Sequence, residues 1–255
     1  MGVPQQAGGL VEGFRRGGKG DAQIVAGRPA GGFAQRISGL GFSLIAAPSL
    51  VLAAGPHDGI ALTNLLAIVV ALAVFAASAQ HLDTAKATVL VPAGLIGVAP
   101  GTIAFWLLPA GPLQITVGAV TGLGLAAVAI ARPVPATPRP LTTAAAGFAS
   151  GITTAVAGAG GPALTIYAVA TGWPQPQFAA TGQISYATQA AAALAIKGLP
   201  PIPATLIGAA IAAALGGVGT AHLLAHRINA GHARRAAIGI AALATALTMI
   251  HGILS

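Results

Sequence analysis

The sequence predicts an all-α polytopic membrane protein: about eight transmembrane helices in two repeats of four, with the first helix of each repeat broken at a Gly-rich motif. Three observations carry that prediction. Of 255 residues, 55% are hydrophobic and only 6% charged, and the mean hydropathy is +0.84; a soluble globular domain carries about 25% charged residues. The charges are also segregated. Asp58 is the only one between Ile37 and Leu82, and residues 87–131, 141–196, 198–226 and 236–255 hold none. Finally, Gly-rich and polar landmarks recur at a nearly constant spacing along the chain.

Composition excludes several function classes. Twelve basic and four acidic side chains cannot coat a soluble enzyme of this size. The net charge of +8 comes from missing acids and not from a basic stripe, so nucleic acid is not an expected partner; the lipid bilayer is. The absence of cysteine excludes disulfides, thiolate metal sites and a cysteine nucleophile. With 36 glycines, 18 prolines and 4% aromatics, the helices should pack closely and break deliberately.

Taken in order, residues 1–21 are Gly-rich and polar, with Arg15, Arg16 and Lys19. No apolar signal core follows within reach, so this segment reads as a disordered cytoplasmic tail. The first four-helix repeat covers 22–131, a linker 132–140, and the second repeat 141–255. A helix needs about 20 apolar residues to cross the hydrocarbon core. Turn-rich stretches cut the apolar runs into spans at about 60–80, 87–108, 113–131, 178–197, 204–226 and 234–254, with two interrupted spans at about 22–54 and 141–171. If the N-terminus is cytoplasmic and each span crosses once, nine cations lie inside. These are Arg15, Arg16, Lys19, Arg28, Arg36, Lys86, Arg132, Arg139 and Lys197, while Arg227, Arg234 and Arg235 lie outside. The positive-inside rule then puts both termini in the cytoplasm.

The repeat is read from paired positions. Gly39 and Gly41 match Gly158 and Gly160 at 119 residues; Pro56, Ala61 and Thr63 match Pro174, Ala179 and Thr181 at 118; Gly101-Thr102 matches Gly219-Thr220 at 118. Four spans per half is an even number, so the repeats should be parallel, related by an axis along the membrane normal. A re-entrant loop in place of one crossing would change that conclusion.

The sharpest chemical signal is the pair of breaks, Ser38-Gly39-Leu40-Gly41-Phe42-Ser43 and Gly158-Ala159-Gly160-Gly161-Pro162. Glycine tolerates positive φ and close approach of a ligand to the backbone, and Pro162 suits the first turn of a new helix. Each break would aim free N–H groups and a positive dipole end into the protein, an arrangement that binds anions. Irregular backbone at membrane depth is tolerated where it lines a cavity or is buried in protein. The competing reading is that these glycines only permit close packing. The second helices add Thr63 and Asn64, then Thr181, Gln183, Ser185, Thr188 and Gln189; Thr181, Ser185, Thr188 and Gln189 share one helical face. That stripe reads equally as a wetted pathway or as interhelical hydrogen bonding. Arg36, two residues before the first break, either clamps an oxyanion bidentately or snorkels to the interface.

Other features read as structure. Gly118/Gly122 and Gly147/Gly151 have the GxxxG spacing of packing faces, and Ser150 reads as a small packing residue. The four acids, Glu12, Asp21, Asp58 and Asp83, fall in the tail or loops, so no buried carboxylate is expected to relay protons. His222 and His226 share a helical face without an accompanying carboxylate or cysteine, which argues against a metal. No catalytic constellation, cofactor or metal site is expected.

At the two glycine motifs, with Pro48 and the Ala61-Leu62-Thr63 and Ala179-Ala180-Thr181 segments, the sequence resembles the sulfite exporter TauE/SafE family, the TSUP permeases, over about residues 30–254. The resemblance implies duplicated four-helix units that move sulfite, sulfonates and related small anions across the bacterial inner membrane. It departs from the family at Asp21 to Arg36, a polar stretch where a long apolar run is usual. The candidate substrate-binding set is Ser38, Gly39, Gly41, Ser43, Thr63, Asn64, Gly158, Gly160, Gly161 and Thr181, with Arg36. The expected partners are a small anionic substrate and the bilayer, and the sequence leaves a homodimer open. The alternatives are a membrane scaffold or assembly subunit, which leaves the paired breaks unexplained, and an intramembrane enzyme, which lacks a catalytic constellation.

Overall fold

The structure is a computed structural model that describes residues 42–130, 139–224 and 230–254. The described chain is helical throughout: α1 (Phe42–Ala54), α2 (Pro56–Ser78), a 3-10 turn (Ala79–His81), α3 (Thr84–Leu107), α4 (Ala110–Ile130), α5 (Pro140–Ala157), α6 (Gly161–Ala170), α7 (Gln175–Lys197), α8 (Ala204–Leu224) and α9 (Ala230–Leu254). Three stretches are long and apolar enough to cross a membrane: Pro56–His81, Thr84–Leu107 and Ala110–Ala127. Phe42–Ala54, Gly161–Ala170, Ala204–Thr220 and Ile238–Leu254 are shorter apolar helices. Together they make the chain a multi-pass membrane protein.

Local sequence sets the helix ends. Gly55, at φ +82°, is the single residue between α1 and α2, and Pro56 opens α2, four residues earlier than the apolar run predicts. Proline is tolerated there because the first N–H of a helix has no intrahelical partner. Asp83 caps α3 by accepting from the Lys86 N–H at 3.0 Å. Pro140 opens α5, where Thr142 Oγ1 accepts from the Arg139 N–H at 3.2 Å. At the other end of α5, Gly158 takes the left-handed conformation, φ +69°, and its N–H bonds Thr154 O at 3.0 Å. Helix α6 begins three residues later with Pro162 in its first turn.

The break is therefore real, but the two arms are not collinear. Thr143, near the start of α5, and Tyr167 in α6 share a hydrogen bond of 2.7 Å between their hydroxyls. At 1.5 Å per residue, fifteen residues of α5 place Thr143 about 22 Å from Gly158, so α6 must fold back along α5 for its Tyr167 to reach Thr143. Residues 141–171, expected to be one interrupted crossing, form a helical hairpin whose two ends lie at the same end of the bundle. The expectation had rested on every span crossing once.

Close backbone contacts fix the remaining directions. Helices α3 and α5 run parallel. A Cβ on Gly147 would sit 2.6 Å from Leu90 O, one on Gly101 would sit 2.6 Å from Ile152 O, and one on Gly151 would overlap Gly94 O. Helices α4 and α9 run antiparallel: Thr121 and Thr245 hydroxyls are 3.2 Å apart, and Gly252 abuts Gly111 O. Helices α2 and α7 are also antiparallel, Asn64 early in α2 meeting Lys197 at the end of α7, while Thr181 early in α7 meets Asp83 just beyond α2. Helix starts recur across the two halves: Pro56 and Gln175 are 119 residues apart, and Thr84 and Ala204 are 120 apart.

Candidate functional site

The tip of the α5–α6 hairpin is the most irregular backbone within the apolar interior. Gly158, Ala159, Gly160, Gly161 and Pro162 are all buried. Ala157 and Ala159 pack with Ala47, Val51, Ile60, Phe105 and Val117, drawn from four other helices. The first N–H groups of α6 have no intrahelical partner, and no side chain caps them. Helix α1 reaches the same place: a Cβ on Gly124 of α4 would lie 2.6 Å from Pro162 Cγ and 2.8 Å from Leu44 Cδ2. Leu44 of α1, next to the half-buried Ser43, and Pro162 in the first turn of α6 thus meet at one residue of α4.

Polar side chains gather on the other flank of the tip. Ser150 Oγ and Thr154 Oγ1, both on α5, donate to Gln189 Oε1 of α7 at 2.9 and 3.1 Å. All three residues are buried. A Cβ on Gly160 would overlap Thr154 Oγ1 and lie 2.8 Å from Ser150 Oγ, so the glycine backbone lies directly against this hydroxyl pair. From α2, Thr63 places its methyl 2.9 Å from where a Gly158 Cβ would be, and its hydroxyl is satisfied by Gly59 O at 2.7 Å. Beside it is Asn64, fully buried. With its amide turned so that both ends meet complementary groups, Nδ2 donates to Thr154 O at 3.1 Å and Oδ1 accepts from Lys197 Nζ at 3.2 Å.

Of the sequence-predicted set, the structure brings together Gly158, Gly160, Gly161, Thr63 and Asn64, with Ser43 near the α1–α6 meeting point. It does not bring Thr181 there. Thr181 Oγ1 accepts from the Asp83 N–H at 3.0 Å, about 24 Å along α7 from Lys197. Arg36, Ser38, Gly39 and Gly41 lie outside the described residues, as do the side chains of His222 and His226. Positive φ, expected of the break as a whole, falls on Gly158; Gly160 is at φ −78° and is required for close approach instead.

Sequence reasoning missed Ser150 and Thr154 at this site. Their spacing of four residues on the face of α5 that ends at the break is the signal that could have found them. Both GxxxG pairs do pack, unequally. Gly147 and Gly151 abut the α3 backbone, Gly118 abuts Met249, and Gly122 has a free margin, with Thr245 Cγ2 at 3.7 Å.

At the open end of the hairpin, Asp83 Oδ2 and Lys86 Nζ form an ion pair of 2.6 Å, and the ammonium lies 4.8 Å above the Trp173 ring. Burial pushes the Asp83 carboxyl up, but the side-chain and backbone hydrogen bonds and the charge of Lys86 more than reverse this, and the group sits below its ordinary value. Among the described residues, no group of three or more His, Cys, Asp or Glu could hold a metal.

The sulfite exporter TauE/SafE family model matches residues 24–249. The chain belongs to the TauE/SafE family. Members of this family are membrane permeases, not enzymes, and the match takes in both glycine motifs and every element that builds the hairpin tip. No curated protein and no solved structure matches the chain.

Proposed function

We propose that this TauE/SafE protein is a secondary transporter that binds a small oxyanion of sulfur, sulfite or a sulfonate, at the hairpin tip between the two glycine motifs. The single observation that carries the reading is the buried start of α6, uncapped by any side chain and lying against the Ser150 and Thr154 hydroxyls. Backbone N–H groups at a helix start are the donors an oxyanion needs, and irregular backbone in an apolar interior is otherwise costly. Neither a scaffold nor an intramembrane enzyme accounts for that tip.

The topology we propose follows from the hairpin. The described second half consists of one re-entrant hairpin, α5–α6, and three crossings, α7, α8 and α9, an odd number. The halves are then inverted, not parallel. The antiparallel pairing of α2 with α7 and of α4 with α9, each pair separated by about 119–120 residues at its starts, supports this. The charge count for orientation changes with it. Lys86 and Arg139 now lie at one end of the bundle and Lys197 at the other. The single-crossing charge count therefore no longer places the termini in the cytoplasm.

Competition settles the substrate class. Purified protein in proteoliposomes should accumulate labelled sulfite, and unlabelled sulfoacetate or other sulfonates should compete better than chloride. Chloride competing as well as the sulfonates would sink the assignment to sulfur oxyanions.

A further inference from the structure

Lys197 is the last residue of α7, immediately before Gly198 turns the chain away at φ +85°. A lysine at such a position ordinarily extends its stem to the aqueous interface. This one turns inward. Its ammonium donates to Ala155 O, in the last turn of α5, and to Asn64 Oδ1 at 3.2 Å. It also lies 4.1 Å above the Phe105 ring. Ala155 and Asn64 are fully buried, so the charge is held against the hairpin tip while the lysine as a whole remains half-buried.

Among the described residues nothing of opposite charge answers it. Among the described residues the ion pair is Lys86 with Asp83, at the other end of the bundle, and Asp58, the other described acid, forms none. Carbonyls of the last turn of α5 carry only partial negative charge. An ammonium has three donors, and among the described residues Ala155 O and Asn64 Oδ1 occupy two. A cation kept within an apolar bundle without a carboxylate is costly unless an anion or water completes it.

We propose that Lys197 is the cation that engages the transported anion at the hairpin tip, with Asn64 and Ala155 O holding the ammonium in place. The inference rests on the oxyanion reading above and adds to it a specific charged residue and a side of approach: the end of the bundle that carries Phe105 and Lys197. A charge-assisted bond of this kind is a strong one, and losing it should weaken affinity about ten- to hundred-fold.

The test is labelled sulfite uptake into proteoliposomes at matched amounts of inserted protein. Lys197→Gln should raise the half-saturating concentration by about tenfold or more, and Lys197→Arg should raise it much less. A lysine that only caps α5 would change the quantity of folded protein and leave half-saturation alone. Should Lys197→Gln fail to insert, Lys197→Cys serves, since the chain has no other cysteine. Alkylation with bromoethylamine restores an ammonium through a thioether, and iodoacetamide gives a neutral control. Recovered affinity with the first reagent alone supports the inference. Unchanged half-saturation in Lys197→Gln, or equal affinity after both reagents, overturns it while leaving the oxyanion reading intact. A wild-type protein that moves neither sulfite nor sulfonates overturns the oxyanion reading, and this inference with it.

Discussion

Gly158 and Gly172 both have positive φ, +69° and +60°, yet their surroundings differ. A Cβ on Gly172 meets nothing within 4 Å, whereas one on Gly158 meets the Thr63 methyl at 2.9 Å and Cβ at 3.0 Å. Alanine at Gly172 therefore adds only left-handed strain, about 1 kcal/mol. At Gly158 it adds a clash as well and should cost about 2–3 kcal/mol. Thermal unfolding of the two variants in detergent should show the larger drop for Gly158→Ala; equal drops would mean that Thr63 yields freely. Asp83 gives a pH signature. Its folded pKa is below its unfolded value, about 3.9, so its contribution is present above that value and lost as pH falls through the folded one. The stability gap between wild type and Asp83→Asn should be full at pH 6 and shrink on acidification below about pH 4, followed as Tm. A gap that does not change with pH would show that the ion pair with Lys86 contributes nothing.

At the scale of elements, α3 and α5 meet through glycines and α4 and α9 through a threonine pair. Gly151→Ala would drive a methyl into the Gly94 carbonyl, a backbone atom that cannot step aside, and should cost at least about 2 kcal/mol. Gly122→Ala meets only Thr245 Cγ2 at 3.7 Å and should be close to neutral, although each is the second glycine of a GxxxG pair. Detergent melting curves of the two variants separate them. The sequence made these helices legible because charge-free runs and prolines mark spans and starts directly. It did not make the hairpin legible. An apolar run interrupted by glycines has the same pattern whether its arms are collinear or folded back, and only the Gly158 conformation and the Tyr167–Thr143 bond decide. Thr181 lies away from the α5–α6 tip for a related reason: it matches Thr63 at 118 residues, whereas the starts of α2 and α7 are 119 apart, which pairs Thr63 with Gly182 and Asn64 with Gln183. Charge spacing likewise placed Lys197 at the end of a span without saying which way its stem turns.

For the whole molecule, the hairpin sets the topology. Helix α4 ends and α5 begins at the end of the bundle that carries Asp83, whereas α9 ends at the opposite one, beside Gly111. A reporter inserted within 131–139 and a reporter fused after Ser255 should therefore lie on opposite faces of the membrane. Eight simple crossings put them on the same face, so one pair of fusions distinguishes the two arrangements whichever way the protein is oriented. In the inverted arrangement we propose, Leu44 of α1 and Pro162 of α6, which both lie against Gly124, border one site served from either face in turn.

The central claim is that this tip holds the anion. It is tested most directly by labelled sulfite flux through wild-type protein and Gly160→Val at equal reconstituted amounts. A valine Cβ would overlap Thr154 Oγ1 and press on Ser150 Oγ, so flux is compared only at equal amounts of folded, inserted protein, checked by thermal unfolding in detergent. The account predicts flux through the wild type and essentially none through Gly160→Val. Equal flux through both proteins would contradict it and reduce the glycines to spacers.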